Sequence, residues 1–516
     1  MQDKTAFTGL IQQGYQFKGE SVQIGCAMLD GEVIPDAKIF LPLKTMNRHG
    51  LIAGATGTGK TKTLQMISEY LSDASVPVLL MDIKGDLSGI AAVGAENDKV
   101  KDRYQKLQLT YAPAKYPAEL LSLSGTNGVK LRATVSEFGP VLLSKILGLN
   151  DTQGGVVALI FKYCDDNKMP LLDLKDFIKV LQYIGDEGKA GIEKLYGKIS
   201  TTSTGTILRK VIELQQQGAD VFFGEKSFEV DDLMRVSDTG QGMLSILRVT
   251  DLQDRPKLFS TFMLQMLDEL YASSPEEGDL DKPKLVIFID EAHLIFQEAS
   301  TELVRQIETV IKLIRSKGIG IFFCTQNPMD IPASVLGQLG MKIQHALRAF
   351  TAADRKTIKQ TADNYPETGF YQTEDLITQL GIGEALVTLL NEKGIPTPLA
   401  HTMLCSPRSR MDILSDEEIN TINAGSKLVK KYNADIDSSS AYEMLNEKIE
   451  EANAGETVKV TAKKPAKPEP TAFEKIANNS VVKSMARTVG NGLVRSLLGV
   501  LGMGGRSTAS RKKSWF

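Results

Sequence analysis

The sequence predicts an α/β fold: a mostly parallel central sheet with helices on both faces, a large helical insertion and a C-terminal β-hairpin. Three observations predict it. Short apolar runs of β character (Val78–Met81, Lys284–Ile289, Gly318–Cys324) alternate with helical stretches such as Lys60–Leu71, Pro256–Tyr271 and Glu298–Lys317. Runs that are apolar at successive positions suit strands buried on both faces, and alternation with helices suits a parallel sheet. Residues from about 85 to 250 are mostly helical in pattern, broken by glycine turns at Gly154-Gly155 and Gly185–Gly191. Lastly, Glu384–Leu390 and Thr397–Leu404 flank the turn Asn391–Pro396, which reads as an antiparallel hairpin.

In chain order, residues 1–50 read as short strands, Val22–Ala27 and Ala37–Leu41, with a turn at Asp30-Gly31. The expected organisation is N-terminal strands and the first part of the core over 1–84, a mainly helical insertion over 85–240, and the rest of the core over 241–410. A helical extension over 411–455 follows, then a basic tail over 456–516 that starts with the Pro/Lys linker Lys463–Pro470.

Composition excludes several classes. The chain has 516 residues, 42% apolar and 24% charged, an ordinary globular balance. Runs such as Leu285–Ile289 are far too short to span a bilayer, which needs ~20 residues. The start, MQDKTAFTGLIQQGYQ, lacks the pattern of a secretory leader. Cys26, Cys164, Cys324 and Cys405 lie far apart, which suggests neither a zinc site nor a disulfide framework. A reducing cytoplasm is the expected location. The net charge of −3 is unevenly spread, since the tail carries twelve Lys/Arg against three Glu. Such a tail suits nucleic acid, an anionic surface or simple solvation. Its segment Val481–Leu501 has apolar residues at near-helical spacing, so contact with a membrane or a partner helix is a minor expectation.

The chemistry is carried by two motifs. Gly54-Ala55-Thr56-Gly57-Thr58-Gly59-Lys60-Thr61 fits the phosphate-binding loop GxxxxGK[ST], between the apolar run Leu51–Ala53 and a helix start. The glycines let backbone N–H groups face the phosphates of ATP, Lys60 reaches the β/γ oxygens, and Thr61 is placed to hold Mg²⁺. The run Lys284–Ile289 ends in Asp290-Glu291, where Asp290 suits the Mg²⁺ shell and Glu291 suits activation of an attacking water. The acidic pair, and the lack of an NKxD-like guanine reader, favour ATP. Asp290–His293 also spells the DEAH box of superfamily 2 helicases. The 230 residues between Lys60 and Asp290 and the missing Ser-Ala-Thr motif argue against that class, leaving His293 as a surface or capping residue. A third position, Gln326, follows the strand after the acidic pair and suits either a γ-phosphate sensor or a residue that orients the water. The motifs therefore point to a P-loop ATPase.

These motifs together, with Asn47–Gly54, the strand end Leu80–Asp86, Thr325-Gln326-Asn327-Pro328 running to Pro332, and Gly381–Val387, resemble the HerA/FtsK group of DNA-pumping ATPases. The chain is especially similar to the bacterial HerA-like helicase branch, over roughly residues 35–405. The resemblance implies a RecA-like fold, DNA as substrate, a homohexameric ring with ATP between subunits, and a nuclease or other protein as a partner. It also implies an arginine finger supplied by a neighbour. Arg315, before the sensor strand, is the first candidate and Arg348 the second. Arg48 is a candidate contact to phosphates from the edge of the P-loop. Lys194, Lys198, Arg209, Lys210 and Arg235 are candidates for DNA contacts from the insertion. Asp82 and Asp86 lie near the crevice, where an Asx turn explains them equally well. Two other readings stay open: a motor for protein secretion or assembly, and a scaffold that uses ATP to set its oligomeric state.

Overall fold

A computed structural model describes residues 3–458 apart from 124, 126, 250–255, 279, 298–300, 435 and 437. The tail after Val458, with Val481–Leu501, lies outside the described residues, as does the expected helix start at Glu298. Residues to Glu447 form one unit, and the second unit begins at Lys448.

The strands are β1 (Ser21–Leu29), β2 (Glu32–Pro42), β3 (Gly50–Ala53), β4 (Val78–Asp82), β5 (Ala118–Ser122) and β6 (Val129–Lys130). There follow β7 (Leu244–Arg248), β8 (Leu285–Ile289), β9 (Ile319–Thr325), β10 (Met341–Gln344), β11 (Glu384–Thr388) and β12 (Ala400–Leu404). They form one sheet in the order β2-β1-β12-β11-β10-β3-β9-β8-β4-β7-β5-β6. From β10 to β6 every pairing is parallel, and from β10 back to β2 every pairing is antiparallel.

The continuous apolar runs do serve two faces. Leu79, Leu285, Ile287 and Ile289 point into one core, with the helices Pro256–Ser273 and Thr301–Ile314 above them. Their neighbours Val78, Leu80, Val286 and Phe288 point into the other, beneath the helix Lys60–Asp73. All eight are essentially inaccessible to water, and each such side chain stabilises the fold by about 1.5–3 kcal/mol before the entropy cost of ordering it.

Three elements depart from expectation. Residues Lys4–Gly14 form a helix, capped by Asp3, whose carboxylate accepts from the N–H groups of Thr5 and Ala6. Phe7 and Ile11, four residues apart, fill the core beside β1 and β2, and Phe7 meets Phe370 edge-on. The expected turn is present, since Asp30 and Gly31 both have positive φ (51° and 81°), the pattern of a type I′ hairpin turn. Secondly, the region expected to be helical over 85–240 holds the helix Asp98–Leu107 and then two strands, β5 and β6, which extend the parallel sheet beyond β7. The run of insertion helices begins at Val135 and includes Asp151–Asn167, Leu174–Gly185, Lys189–Tyr196 and Thr201–Gln216. Thirdly, β11 and β12 pair antiparallel as expected but do not end the sheet. β1 adds to β12, in register from Gly25 with Leu404 to Ala27 with Thr402, so the N-terminal hairpin forms the edge. Gly25 permits this pairing, because a Cβ there would fall 2.2 Å from the Met403 carbonyl oxygen.

Candidate nucleotide site

The sheet order brings four strand ends together. β3, β9, β8 and β4 are consecutive neighbours and parallel, so the segments after Ala53, Thr325, Ile289 and Asp82 all leave one edge. In an open α/β sheet this carboxyl edge is where ligands bind.

The loop after β3 is built from its own backbone and its neighbours'. The Gly54 N–H donates to the Thr325 carbonyl at 3.2 Å, and the Ala55 N–H to the Ala346 carbonyl at 2.8 Å. Gly54 has no alternative here, as a Cβ would sit 2.5 Å from the Cβ of His345. Gly59, at φ 113°, turns the chain into the helix Lys60–Asp73. The helix therefore opens with N–H groups free of side-chain caps, aimed at the strand-end crevice. Lys60 is buried, and its Nζ donates to the Ala55 carbonyl at 3.2 Å. Burial foremost, and then the nearby Lys84 charge, hold its pKa below the usual lysine value. Under the loop, Thr63 Oγ1 is 3.0 Å from His345 Nε2.

Asp290 and Glu291 sit side by side and differ sharply. Asp290 is 2% exposed and its Oδ2 has no hydrogen-bond partner among the described residues. Burial foremost, and the adjacent Glu291 carboxylate, push its pKa up to about 7. A buried orphan oxygen is costly unless something binds it, and a divalent cation is a fitting partner. Among the described residues no cluster of three His, Cys, Asp or Glu forms a metal cage. A Mg²⁺ ion here would thus depend on Asp290, the Thr61 hydroxyl, water and the phosphates, the usual pattern for that ion. Glu291 has a left-handed backbone, φ 45°. That is strained for a non-glycine residue, and such strain recurs at functional sites as well as at turns and helix ends. Its Oε1 receives Lys84 Nζ at 2.5 Å and Gln326 Nε2 at 3.3 Å, and its Oε2 lies 3.3 Å from His293 Nδ1. Burial raises the Glu291 carboxyl, but the Lys84 ammonium outweighs it and holds the group below its ordinary range. Gln326 also accepts from Thr56 Oγ1 at 3.2 Å, linking the P-loop to the acidic pair.

Some expected residues are elsewhere. Arg48 precedes β3 and is at the opposite sheet edge from its own P-loop, its guanidinium directed at the Glu392 carbonyl at 3.5 Å. It does not reach phosphates bound in its own loop. Proximity in sequence misled here, because β3 carries the chain about 13 Å from one edge to the other. Arg315, exposed before β9, is at that same far edge. His49 there is neutral, pushed down to about 4 by burial, and takes the Ile321 N–H on Nδ1. Arg348 follows β10 on the P-loop edge, exposed and bound to the Thr378 carbonyl at 2.8 Å. In the insertion region Lys210 pairs with Glu213 and Arg235 with Glu119, so both cations have protein partners. Arg209 donates to Thr206, while Lys194 and Lys198 are exposed.

His293 is not a bare surface residue, because it faces Glu291. Lys84 is the residue sequence reasoning passed over. It lies inside the strand end Leu80–Asp86, yet nothing in the sequence signals that β4 adjoins β8. Asp82 accepts from the N–H groups of Gly85, Asp86 and Leu87, at 2.7, 3.1 and 3.0 Å, and so shapes the turn that carries Lys84.

Fold and site together define a RecA-like P-loop protein. The chain belongs to the helicase HerA-like C-terminal family, whose sequence profile matches residues 28–508. It is similar to the DNA double-strand break repair helicase HerA of Saccharolobus solfataricus, 20% identical over 355 residues. That match covers 68% of this chain and 64% of the relative, so this chain spans less than two thirds of the relative's length. A probable helicase of Methanocaldococcus jannaschii is 24% identical over 400 residues, covering 72% of this chain and 68% of the other. Among solved structures, the bacterial conjugative coupling protein TrwBdeltaN70 superposes with a TM-score of 0.51 at 13% identity, covering 79% of this chain and 94% of that one. This likeness speaks to the fold.

Proposed function

We propose that the protein is an ATP-hydrolysing motor that moves along DNA, a HerA-like translocase or helicase working as a homohexameric ring in the cytoplasm. The observation that carries the reading is the meeting of Lys60, Asp290, Glu291 and Gln326 at adjoining strand ends. Family membership, and the names of the helicases it resembles, support DNA as the track. Among the described residues no helix is long and apolar enough to cross a membrane.

The P-loop amides and Lys60 bind the β- and γ-phosphates. Thr61 and Asp290 would hold Mg²⁺, which would neutralise charge on the phosphates when bound. Glu291 orients the attacking water and accepts its proton, and Gln326 fixes the carboxylate relative to the P-loop. Arg315, remote from its own P-loop, is the first candidate for an arginine supplied to a neighbour's nucleotide in the ring. Arg348 is the alternative on the near edge. A finger of this kind is worth about 10³–10⁵ in rate.

The test is steady-state ATPase activity at low salt with and without linear duplex DNA, beside Glu291→Gln. The expected result is stimulation that fades as salt rises, because phosphate contacts release counterions, and that vanishes in the variant. Turnover that depends on Glu291 but ignores single- and double-stranded DNA alike would point instead to a motor acting on protein.

A further inference from the structure

In the arrangement described above Glu291 is held by Lys84 and Gln326 rather than free to face an attacking water. Its Oε1 carries both an ammonium and an amide donor, and an opposite charge in contact weakens a carboxylate as a proton acceptor. The cation responsible is on a surface turn, with its side chain 38% exposed against 6% for Glu291. Lys84 can therefore leave without opening the core. Two cations, Lys60 and Lys84, and two carboxylates, Asp290 and Glu291, interact at this edge. The negative charge of a terminal phosphate exceeds that of one carboxylate, so a triphosphate arriving beside Lys60 competes for the second ammonium.

We propose that Lys84 is a second phosphate-reaching cation, which clamps Glu291 in the ligand-free protein and moves to the terminal phosphate of a bound nucleoside triphosphate, freeing the carboxylate to take a proton from water. The proposal deepens the nucleotide reading above and rests on it, but makes no use of DNA. Lys84 acts on hydrolysis through Glu291, as a positioning residue, and on nucleotide affinity directly. A diphosphate lacks the group Lys84 seeks, so the clamp stays closed on ADP.

The test is equilibrium binding of a fluorescent non-hydrolysable ATP analogue and of fluorescent ADP, each with Mg²⁺, to the full chain. Lys84→Met is expected to lose about tenfold in affinity for the triphosphate, the scale of one charge-assisted hydrogen bond, with ADP affinity unchanged. Lys84→Arg keeps most of the triphosphate affinity and serves as the check on folding. Glu291→Gln removes the competing charge and is expected to tighten the triphosphate alone, a gain that Lys84→Met abolishes in the double variant. Equal loss for both nucleotides, or no loss for either, overturns the proposal if Lys60→Ala weakens both. If Lys60→Ala also changes nothing, the nucleotide site itself is misassigned, and the proposal falls with it.

Discussion

Gln326 donates its side-chain amide to Glu291 at 3.3 Å while its carbonyl oxygen accepts from Thr56 at 3.2 Å. One side chain thus connects the phosphate loop after β3 to the acidic pair after β8, across the end of the strand between them. The geometry couples the loop to the carboxylate through this amide.

Gln326→Ala should therefore damage turnover more than binding. The expected fall in kcat is about 10–100-fold, in the range of a lost positioning contact, with nucleotide affinity within about threefold of wild type. Gln326→Glu should be worse, since it sets a second negative charge against Glu291. Single-turnover hydrolysis and equilibrium nucleotide binding, measured on the same preparations, check both expectations.

The N-terminal helix is structural. Phe7 is fully buried, with Phe370 at 5.1 Å and Tyr371 at 5.9 Å between ring centroids. Phe7→Ala should cost about 3–5 kcal/mol through lost burial and the cavity it leaves. Urea unfolding followed by circular dichroism reads this out, and a loss below 1 kcal/mol would show that the helix is dispensable to the core.

Glu69, on the helix that opens at Lys60, anchors the segment after β12. It accepts from the N–H groups of Arg408 and Ser409, at 2.7 and 3.1 Å, and from the Ser409 hydroxyl. Burial foremost raises its pKa to about 7, against the pull of those donors. Ser409→Ala removes one donor from a buried carboxyl and should cost about 1–3 kcal/mol. The loss should be larger at pH 8, where Glu69 is ionised, than at pH 5, as paired unfolding curves would reveal.

Asp268 gives a pH signature of its own. Burial pushes its pKa up from 3.8 to about 6, opposed by the Lys145 charge, and its Oδ1 has no hydrogen-bond partner among the described residues. The folded state binds this proton more tightly than the unfolded state. Its stabilising contribution is complete below pH 3.8 and is lost as pH rises through about 6, by about 3 kcal/mol in all. Asp268→Asn should flatten that part of the pH–stability profile and stabilise the protein at pH 8. A thermal-melting series from pH 4 to 8 compares the two.

The parts of the site legible in the sequence are those whose chemistry needs contiguous residues. The P-loop must be a glycine-rich turn between strand and helix, so Gly54–Thr61 declares itself, and Asp290-Glu291 at the end of an apolar run does nearly so. What the sequence conceals is strand order. That β4 lies beside β8 is decided by packing on both faces of the sheet, and only this brings Lys84 onto Glu291. The same blindness placed Arg48 near phosphates it does not face. Local signals also went unread. Asp3, Phe7 and Ile11 have the cap and four-residue spacing of a short amphipathic helix. β5, by contrast, is a five-residue run holding the charged Glu119, which periodicity alone does not separate from helix.

The central claim is that ATP turnover at Glu291 drives movement along DNA. Its most direct test is displacement of a triplex-forming oligonucleotide from linear duplex DNA, run beside unwinding of a forked duplex. The account predicts displacement in at least one substrate that requires ATP and is absent in Glu291→Gln. Robust Glu291-dependent hydrolysis with no displacement from either substrate would contradict it.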